Sequence, residues 1–338
     1  MKVGPWRFIL TMALALAALA LTSKTSRASD DWLARLNQYR AMAKLPAVAE
    51  DQQLSKGDCA HSRYVVKNYT PAIRADRSLG TNFHIEDTSN PWYTYDGFIA
   101  GRSSDVLAGT GSPSASWAID TWIAAPFHRF ALLNPHLSRI GYGSFCENGV
   151  CAAAVNLTSD ALPAALQIRR RWSSGAPVTG ESEARGGGIG APFAHPIEFP
   201  PDRSVVDLLK FSSQEWPDPL TSCPGYKIPT GLSITLQLGT WLSPKISAWS
   251  LTSQGVPLET CAFDSDDYHN PQTLTQKLGR GGLEFYGAVV MIPRTPLKPD
   301  TRYTVSMKVE DMDYTWSFST GTAAHLPQVP QVHDNQRP

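Results

Sequence analysis

Two histidines carry the first chemistry this sequence offers. His84 is followed by Glu86 and Asp87, and His128 is followed directly by Arg129. In an extended segment side chains repeat every two residues, so Glu86 shares a face with His84. Two imidazoles, one carboxylate and water make a workable divalent site with open positions of the kind zinc accepts, with His84 and His128 as the metal ligands. A pair of histidines without a recognised ligand spacing is more often hydrogen-bonded structure. Arg129 can clamp an anion, although an ion pair inside the fold is the commoner fate of such a side chain. Hydrolysis would take Ser103 or Ser104 as nucleophile and His84 or His128 as base, Ser104 with His128 being the preferred pair. That chemistry needs hydrogen-bond reach, a third group to orient the ring and an oxyanion site. No Gly-x-Ser-x-Gly elbow surrounds either serine. The sequence also holds no Gly-rich phosphate loop, no His-Glu-x-x-His helix and no dinucleotide fingerprint.

Helices and a hairpin must position these groups. Asp30 or Asp31 can cap a helix carrying Leu33, Leu36, Tyr39 and Ala43 on its apolar face, and Asp51 can cap a second carrying Leu54, His61, Tyr64 and Val65. His61 on that face reads as a core histidine satisfied by a backbone carbonyl. A third helix starts near Ser114 or Ser116 and buries Ile119, Trp122 and Ile123 until Pro126 breaks it. Strands follow around Gly141 to Phe145 and Cys151 to Leu157. Trp92, Tyr93 and Tyr95 either line a groove or cover the core.

Trp122 to Gly143, with His128-Arg129, Leu133-Asn134-Pro135 and Gly141-Tyr142-Gly143, resembles the second signature of secreted CAP (SCP-like) domains. Leu36, Asn37, Arg40, Leu45 to Val48, Asp51, Leu54, Ala60 and His61 look like the first two helices of such a domain. Phe83-His84, then Gly97 and Ala100 to Ser104, fall where bacterial members carry Phe-Ser-His and Gly-Glu-Asn. The resemblance covers about residues 32–157. It implies a sheet sandwiched by helices and a central cleft of two histidines and two acidic residues, with a divalent metal on the histidines in some members. His84 matches the first histidine and His128 the second. A serine replaces the first acidic residue, and the second falls on Ala124 or Ala125. Glu86 is the carboxylate available to compensate, which gives a cleft of His84, His128, Glu86 and Ser104.

Composition sets the rest. Lys2 and Arg7 precede an apolar run from Phe8 to Leu21 that ends at Ser26-Arg27-Ala28, which reads as a signal peptide over 1–28 and implies secretion to the outside or the envelope. The run is short of the roughly 20 residues that cross a bilayer, so no transmembrane segment is expected after cleavage. Loss of Lys2, Arg7, Lys24 and Arg27 from 30 basic residues leaves 26 against 30 acidic ones, a net of −4. Nucleic acid is excluded as partner, because no basic cluster supplies the field it needs. Arg169 to Arg171 form a solvated helix end. Cys146 and Cys151 flank Asn148-Gly149, a tight-turn pair, and are expected to bond across a hairpin, which leaves Cys223 with Cys261 and a buried, inert Cys59.

From Ser173 to Pro192 there are six glycines and two prolines, the composition of a flexible linker. Beyond it Leu232, Ile234, Leu236 and Leu238 alternate with polar residues, as do Tyr303, Val305, Met307 and Val309, while Phe285 to Ile292 reads as a fully buried strand. Pro296 to Val305 and Tyr314 to Gly321 resemble the last two strands of bacterial Ig-like modules, which commonly serve as spacers or adhesive surfaces. The fold class is thus α+β: a CAP-type α-β-α sandwich over 29–172, a linker over 173–197, an all-β Ig-like sandwich over 198–322 and a disordered tail over 323–338. The leading function is an extracellular binding module whose cleft takes a small hydrophobic ligand, a cell-envelope component or a divalent metal, with no cofactor required. The alternative is a secreted hydrolase acting on peptide or cell-wall material.

Overall fold

A computed structural model of the chain describes residues 30–69, 83–110, 114–157 and 191–322. The signal peptide, Arg169 to Arg171, most of the linker and the tail lie outside the described residues. The amino-terminal unit contains α1 (Asp30–Met42), β1 (Ala49–Glu50), α2 (Gln52–Asn68), α3 (Tyr95–Gly101), β2 (Ser104–Thr110), α4 (Ala115–Ala124), α5 (Pro126–Leu132), β3 (Arg139–Glu147) and β4 (Val150–Asn156). Asp51 caps α2 by accepting from the Gln53 and Leu54 amides, and Ser114 caps α4 by accepting from the Trp117 amide. The strands pair in the order β1-β3-β4-β2.

The period-two alternation of β3 assigns its faces. Ile140 and Tyr142 point to one side, where Trp32, Leu36 and Tyr39 of α1 and Ile119, Trp122 and Ile123 of α4 join them in a buried core. The other side bears Gly141 and Gly143, and there α2 lies directly on the strand. A Cβ at Gly143 would overlap the backbone of Asp58 and Cys59, and one at Gly141 would overlap Leu54. Ser62 donates to the Gly143 carbonyl at 2.8 Å. The Gly-x-Gly spacing therefore marks a helix seated on bare strand backbone, and the result is a sheet between two helical layers.

Arg40 fastens the first layer. Fully buried, its guanidinium donates to the carbonyls of Pro46, Leu132, Asn134 and Leu137, which joins α1 to the segments that lead into β1 and β3. Asn148 and Gly149 take positive φ in the β3–β4 turn, and Cys146 pairs in register with Cys151 and is bonded to it. Cys223 is bonded to Cys261. Cys59, expected to be buried, is exposed because it lies on the outward turn of α2, although desolvation pushes its thiol up.

The carboxy-terminal unit is a β-sandwich whose sheets are antiparallel except where β6 joins β15 in parallel, which with the amino-terminal layers makes the chain α+β. Its strands are β5 (Ala191–Phe199), β6 (Val205–Val206), β7 (Lys210–Phe211), β8 (Thr230–Gly231), β9 (Ile234–Thr240), β10 (Ile246–Ser253), β11 (Val256–Pro257), β12 (Thr260–Phe263), β13 (Ala288–Pro293), β14 (Arg302–Val309) and β15 (Met312–Thr320). One sheet runs β11-β10-β14-β15-β6 and the other β12-β13-β9-β5. Residues 191–197, read as the end of the linker, belong to β5, and Ile197 pairs with Gln237 of β9. A helix, α6 (Thr273–Phe285), is not anticipated by the sequence pattern. Phe285 ends it, and the buried strand begins only at Ala288, after a turn in which Gly287 takes positive φ.

β14 alternates buried and exposed as its pattern implies. β9 does not, since Thr235 and Gln237 are as buried as Ile234 and Leu236. The reason is that the polar face of β9 docks on the amino-terminal helices: Gln237 donates to the Phe130 carbonyl at 3.4 Å, and Ser233 donates to the Ala124 carbonyl at 3.1 Å. One hydrophobic cluster accordingly runs from Trp32 and Leu36 through Phe199, Leu236 and Trp316.

Candidate functional site

Pro126 creates the local geometry that presents His128. It has no amide to donate and disfavours helix at Ala125, whose φ and ψ of −90° and 118° end α4, yet it is suited to the first position of the next helix. Phe127, His128 and Arg129 therefore sit in the first turn of α5. Glu215, from the loop between β7 and β8, receives both the His128 backbone amide at 2.9 Å and Nδ1 at 2.7 Å on its Oε1 atom. The Glu215 side chain is fully buried, and burial raises its carboxyl above the usual range, opposed by its bonds to His128. Oε2 of Glu215 has no hydrogen-bond partner among the described residues.

Arg129 turns into the junction of the two units. It donates to the carbonyl and hydroxyl of Ser233, and its guanidinium lies over the Phe199 ring at 4.4 Å. Burial lowers it to about 9, partly offset by Glu215. It is thus held by the fold rather than offered to an anion.

His84 is half-buried, and its Nδ1 lies 2.8 Å from the Gly101 carbonyl. With that ring nitrogen donating to a carbonyl, and Nδ1 of His128 donating to a carboxylate, both tautomers are set by their partners. His84 and His128 line one cavity of about 1630 Å³, together with Trp117, Asp120 and Trp122 from the amino-terminal unit and Glu215, Trp216 and Tyr226 from the sandwich. Asp120 is held at its place by Arg35 at 2.6 Å and the Tyr39 hydroxyl at 2.7 Å.

Glu86 is not in that cavity. It is buried, with Oε1 2.9 Å from Nδ1 of His61 and Oε2 accepting from the Thr94 amide at 3.1 Å. The expected shared face with His84 requires an extended segment, whereas Phe83 and His84 form a tight helical turn that sends the two side chains apart. His61 meets the Phe83 carbonyl at 2.6 Å with its other nitrogen, so the backbone carbonyl expected for it is present alongside a carboxylate. Gly97 and Gly101 on α3 make room for this pair, since a Cβ at Gly101 would overlap the His61 ring and one at Gly97 would crowd Glu86. Two glycines four residues apart, facing a helix that carries a histidine, are the signal that points to it in the sequence.

Ser104 is also elsewhere. It is buried at the start of β2, with Oγ 2.7 Å from Oδ1 of Asp58 and 2.8 Å from the Ala100 carbonyl. It neither bonds an imidazole nor lines the cavity, so the Ser104–His128 nucleophile and base pair is not assembled. Trp92, Tyr93 and Tyr95 lie away from the cavity as well; the Trp92 ring instead receives the cations of Arg63 and Lys67 at 4.7 and 4.4 Å. For a divalent ion, the donor set does not fit a site of three protein ligands: among the described residues no three His, Cys, Asp or Glu side chains converge. Sequence reasoning does not single out Glu215, and no short pattern marks it, because its partner lies 87 residues upstream.

The family model described as the cysteine-rich secretory protein family, CAP, matches residues 33–153. Those residues are the helix–sheet–helix sandwich, so the amino-terminal part of this chain is similar to CAP domains. Among solved structures, an extracellular protein containing an SCP domain from Bacillus anthracis str. Ames is 18% identical, with 38% of this chain and 39% of that one covered and a TM-score of 0.27. The S-layer protein rSbsC(31-844) is 11% identical, with 86% of this chain and 32% of that one covered and a TM-score of 0.17. The chain spans less than half the length of either protein. No curated protein matches the chain.

Proposed function

We propose that this protein is a secreted CAP-domain binding module that captures a small ligand or cell-envelope component in the cleft around His84 and His128. The observation that carries this reading is the shared cavity of the two histidines, with imidazoles oriented through Nδ1 by the Gly101 carbonyl and by Glu215. Clefts of this kind, with oriented polar groups among aromatic walls, are the usual form of ligand sites. Secretion is supported by the two disulfides, which persist in oxidising compartments, and by the family that residues 33–153 match. Among the described residues no helix is long and apolar enough to cross a membrane. Among the described residues no three His, Cys, Asp or Glu side chains converge on a divalent ion, and Nδ1 of His128 is already bonded to Glu215, so an organic occupant is the better match.

Co-sedimentation of the full chain with bacterial envelope preparations tests the reading. The His84→Ala/His128→Ala double variant, folded as judged by circular dichroism, is expected to bind at least about tenfold more weakly, the loss of one or two oriented hydrogen bonds to a ligand. Unchanged sedimentation of the double variant would remove the histidines from the binding site.

A further inference from the structure

One edge of the amino-terminal sheet opens into the cavity. β2 is the end strand of the order β1-β3-β4-β2 and pairs with β4. Val106, Leu107 and Ala108 follow one another on β2, and all three line the cavity. Their side chains alternate between the faces of the sheet. Val106 and Ala108 pack with Phe83 and with Val65 of α2, and Leu107 packs against the core that holds Trp117 and Trp122. Phe83, Trp117 and Trp122 line the same cavity. A single space bounded by both faces of one strand passes around that strand's edge, and the opposite edge of β2 is taken by β4.

Register tells which backbone groups this edge presents. The Leu157 amide donates to the Ser103 carbonyl at 3.3 Å, so that pair is a bonded one. Cys146 and Cys151 stand 4.1 Å apart at Cα, the spacing of a pair without backbone bonds, so Cys151 directs its amide and carbonyl away from β3 and toward Gly109 of β2. Counting by twos from either point, Asp105, Leu107 and Gly109 bond to β4, and the amides and carbonyls of Val106 and Ala108 point outward. Among the described residues none donates to or accepts from these outward groups. No proline, lysine or bulge interrupts β2, the devices that commonly blunt an edge.

Donors and acceptors repeated at the spacing of an extended chain are complementary to another extended backbone, and neither a hydrocarbon nor an ion supplies that alternation. We infer that the cleft binds an extended, apolar peptide segment of a partner protein, added as a strand along β2 and bonded through the amides and carbonyls of Val106 and Ala108. Successive side chains of the peptide turn alternately to the side of Phe83 and the side of Trp117, so both of its faces meet aromatic walls. Backbone pairing selects the extended form, and the walls select the side chains. This inference rests on the cleft-binding reading above and names its ligand class.

The test is amide hydrogen exchange of the full chain during titration with N-acetylated pentapeptide amides, each with threonine at both ends and valine, leucine, isoleucine or phenylalanine at the central positions. At least one peptide is expected to bind saturably and to slow exchange of the Val106 and Ala108 amides at least about tenfold, while Leu107 and Gly109, already bonded to β4, keep their rates. Methylating the peptide amides that donate to β2 weakens binding at least about tenfold, and methylating the alternate set leaves it within about twofold. Ala108→Pro removes one outward amide without touching the bonds to β4 and weakens binding about tenfold. If that variant does not fold, the methylated peptides decide. Failure of every peptide to bind at millimolar concentration overturns the inference, as does equal binding of both methylated sets, or binding that leaves the Val106 and Ala108 amides unprotected. Protection of those amides by self-association, with no peptide bound, assigns the edge to a second copy and overturns the peptide class. If no peptide binds while the His84→Ala/His128→Ala variant still loses envelope binding, this inference alone falls. If envelope binding is also indifferent to the histidines, the cleft reading falls with it.

Discussion

Replacing Arg129 with leucine is expected to lower the unfolding free energy by about 3–5 kcal/mol, the range seen when one partner of a buried charged set is removed. The side chain is fully buried, and its donors reach the carbonyl and hydroxyl of Ser233 while its plane covers Phe199. Leucine leaves the Ser233 carbonyl without that donor and removes the cation that favours the buried Glu215 carboxylate. Lysine restores the charge but not the two-pronged geometry, and recovers only part of the loss. Urea unfolding of the three proteins measures this, with tryptophan fluorescence and far-ultraviolet circular dichroism followed together. Because the core runs continuously across both units, the two signals are expected to change in one transition. A loss below about 1 kcal/mol would mean that Arg129 is compensated by solvent and does not join the units.

The second large effect is a pH dependence seated at Asp58. Burial pushes its carboxyl up from 3.8 to about 7, against the bonds from Ser104 and the Asn156 amide. Geometry agrees: the Ser104 hydroxyl faces both Asp58 and the Ala100 carbonyl with one proton, and a protonated Asp58 completes the chain by donating to Ser104 as Ser104 donates to Ala100. A raised carboxyl in the folded state means that the native protein holds the proton more tightly than the unfolded chain. The associated stability is complete below 3.8 and is lost as pH rises toward about 7, at up to about 1.4 kcal/mol per pH unit. The Asp58→Asn variant can make the same pair of bonds without titrating, since the new amide donates to Ser104 and its carbonyl accepts from Asn156. Subtracting the Asp58→Asn stability curve from that of the wild type between about pH 5 and 7 should give this downward slope, about 1 kcal/mol per unit. A flat difference would show that Asp58 is ionised in the native state.

Much of the scaffold is legible in local pattern because its causes are local. Asp51 and Ser114 cap helices by bonds that reach only two or three residues, Pro126 divides α4 from α5 by its own ring, and Asn148-Gly149 turns a hairpin that brings Cys146 to Cys151. Features that depend on what covers a surface are not legible in this way. Gln237 has the polar alternation of a half-exposed strand, yet it is buried where its amide meets the Phe130 carbonyl of α5, 107 residues upstream. α6 contains Gly279, Gly281 and Gly282, which argue against helix, yet Gly279 is where the Tyr268 ring packs against it. The site divides along the same line. His84 and His128 are recognisable by family spacing, whereas Glu86 leaves His84 for His61 because of one tight turn, and Glu215 reaches His128 across the junction of the units.

The proposed cleft lies at that junction, because the groups that orient His128 and wall the cavity come from both halves of the chain. The most direct test is a long-range proton–nitrogen spectrum of the histidine rings of the full chain, recorded as solubilised envelope fragments are added. The rings of His84 and His128 should shift together with saturation while the buried His61 ring, paired with Glu86, stays in place. Fragments that bind while both cleft rings remain unmoved, or that move His61 alone, would contradict a ligand site in this cavity.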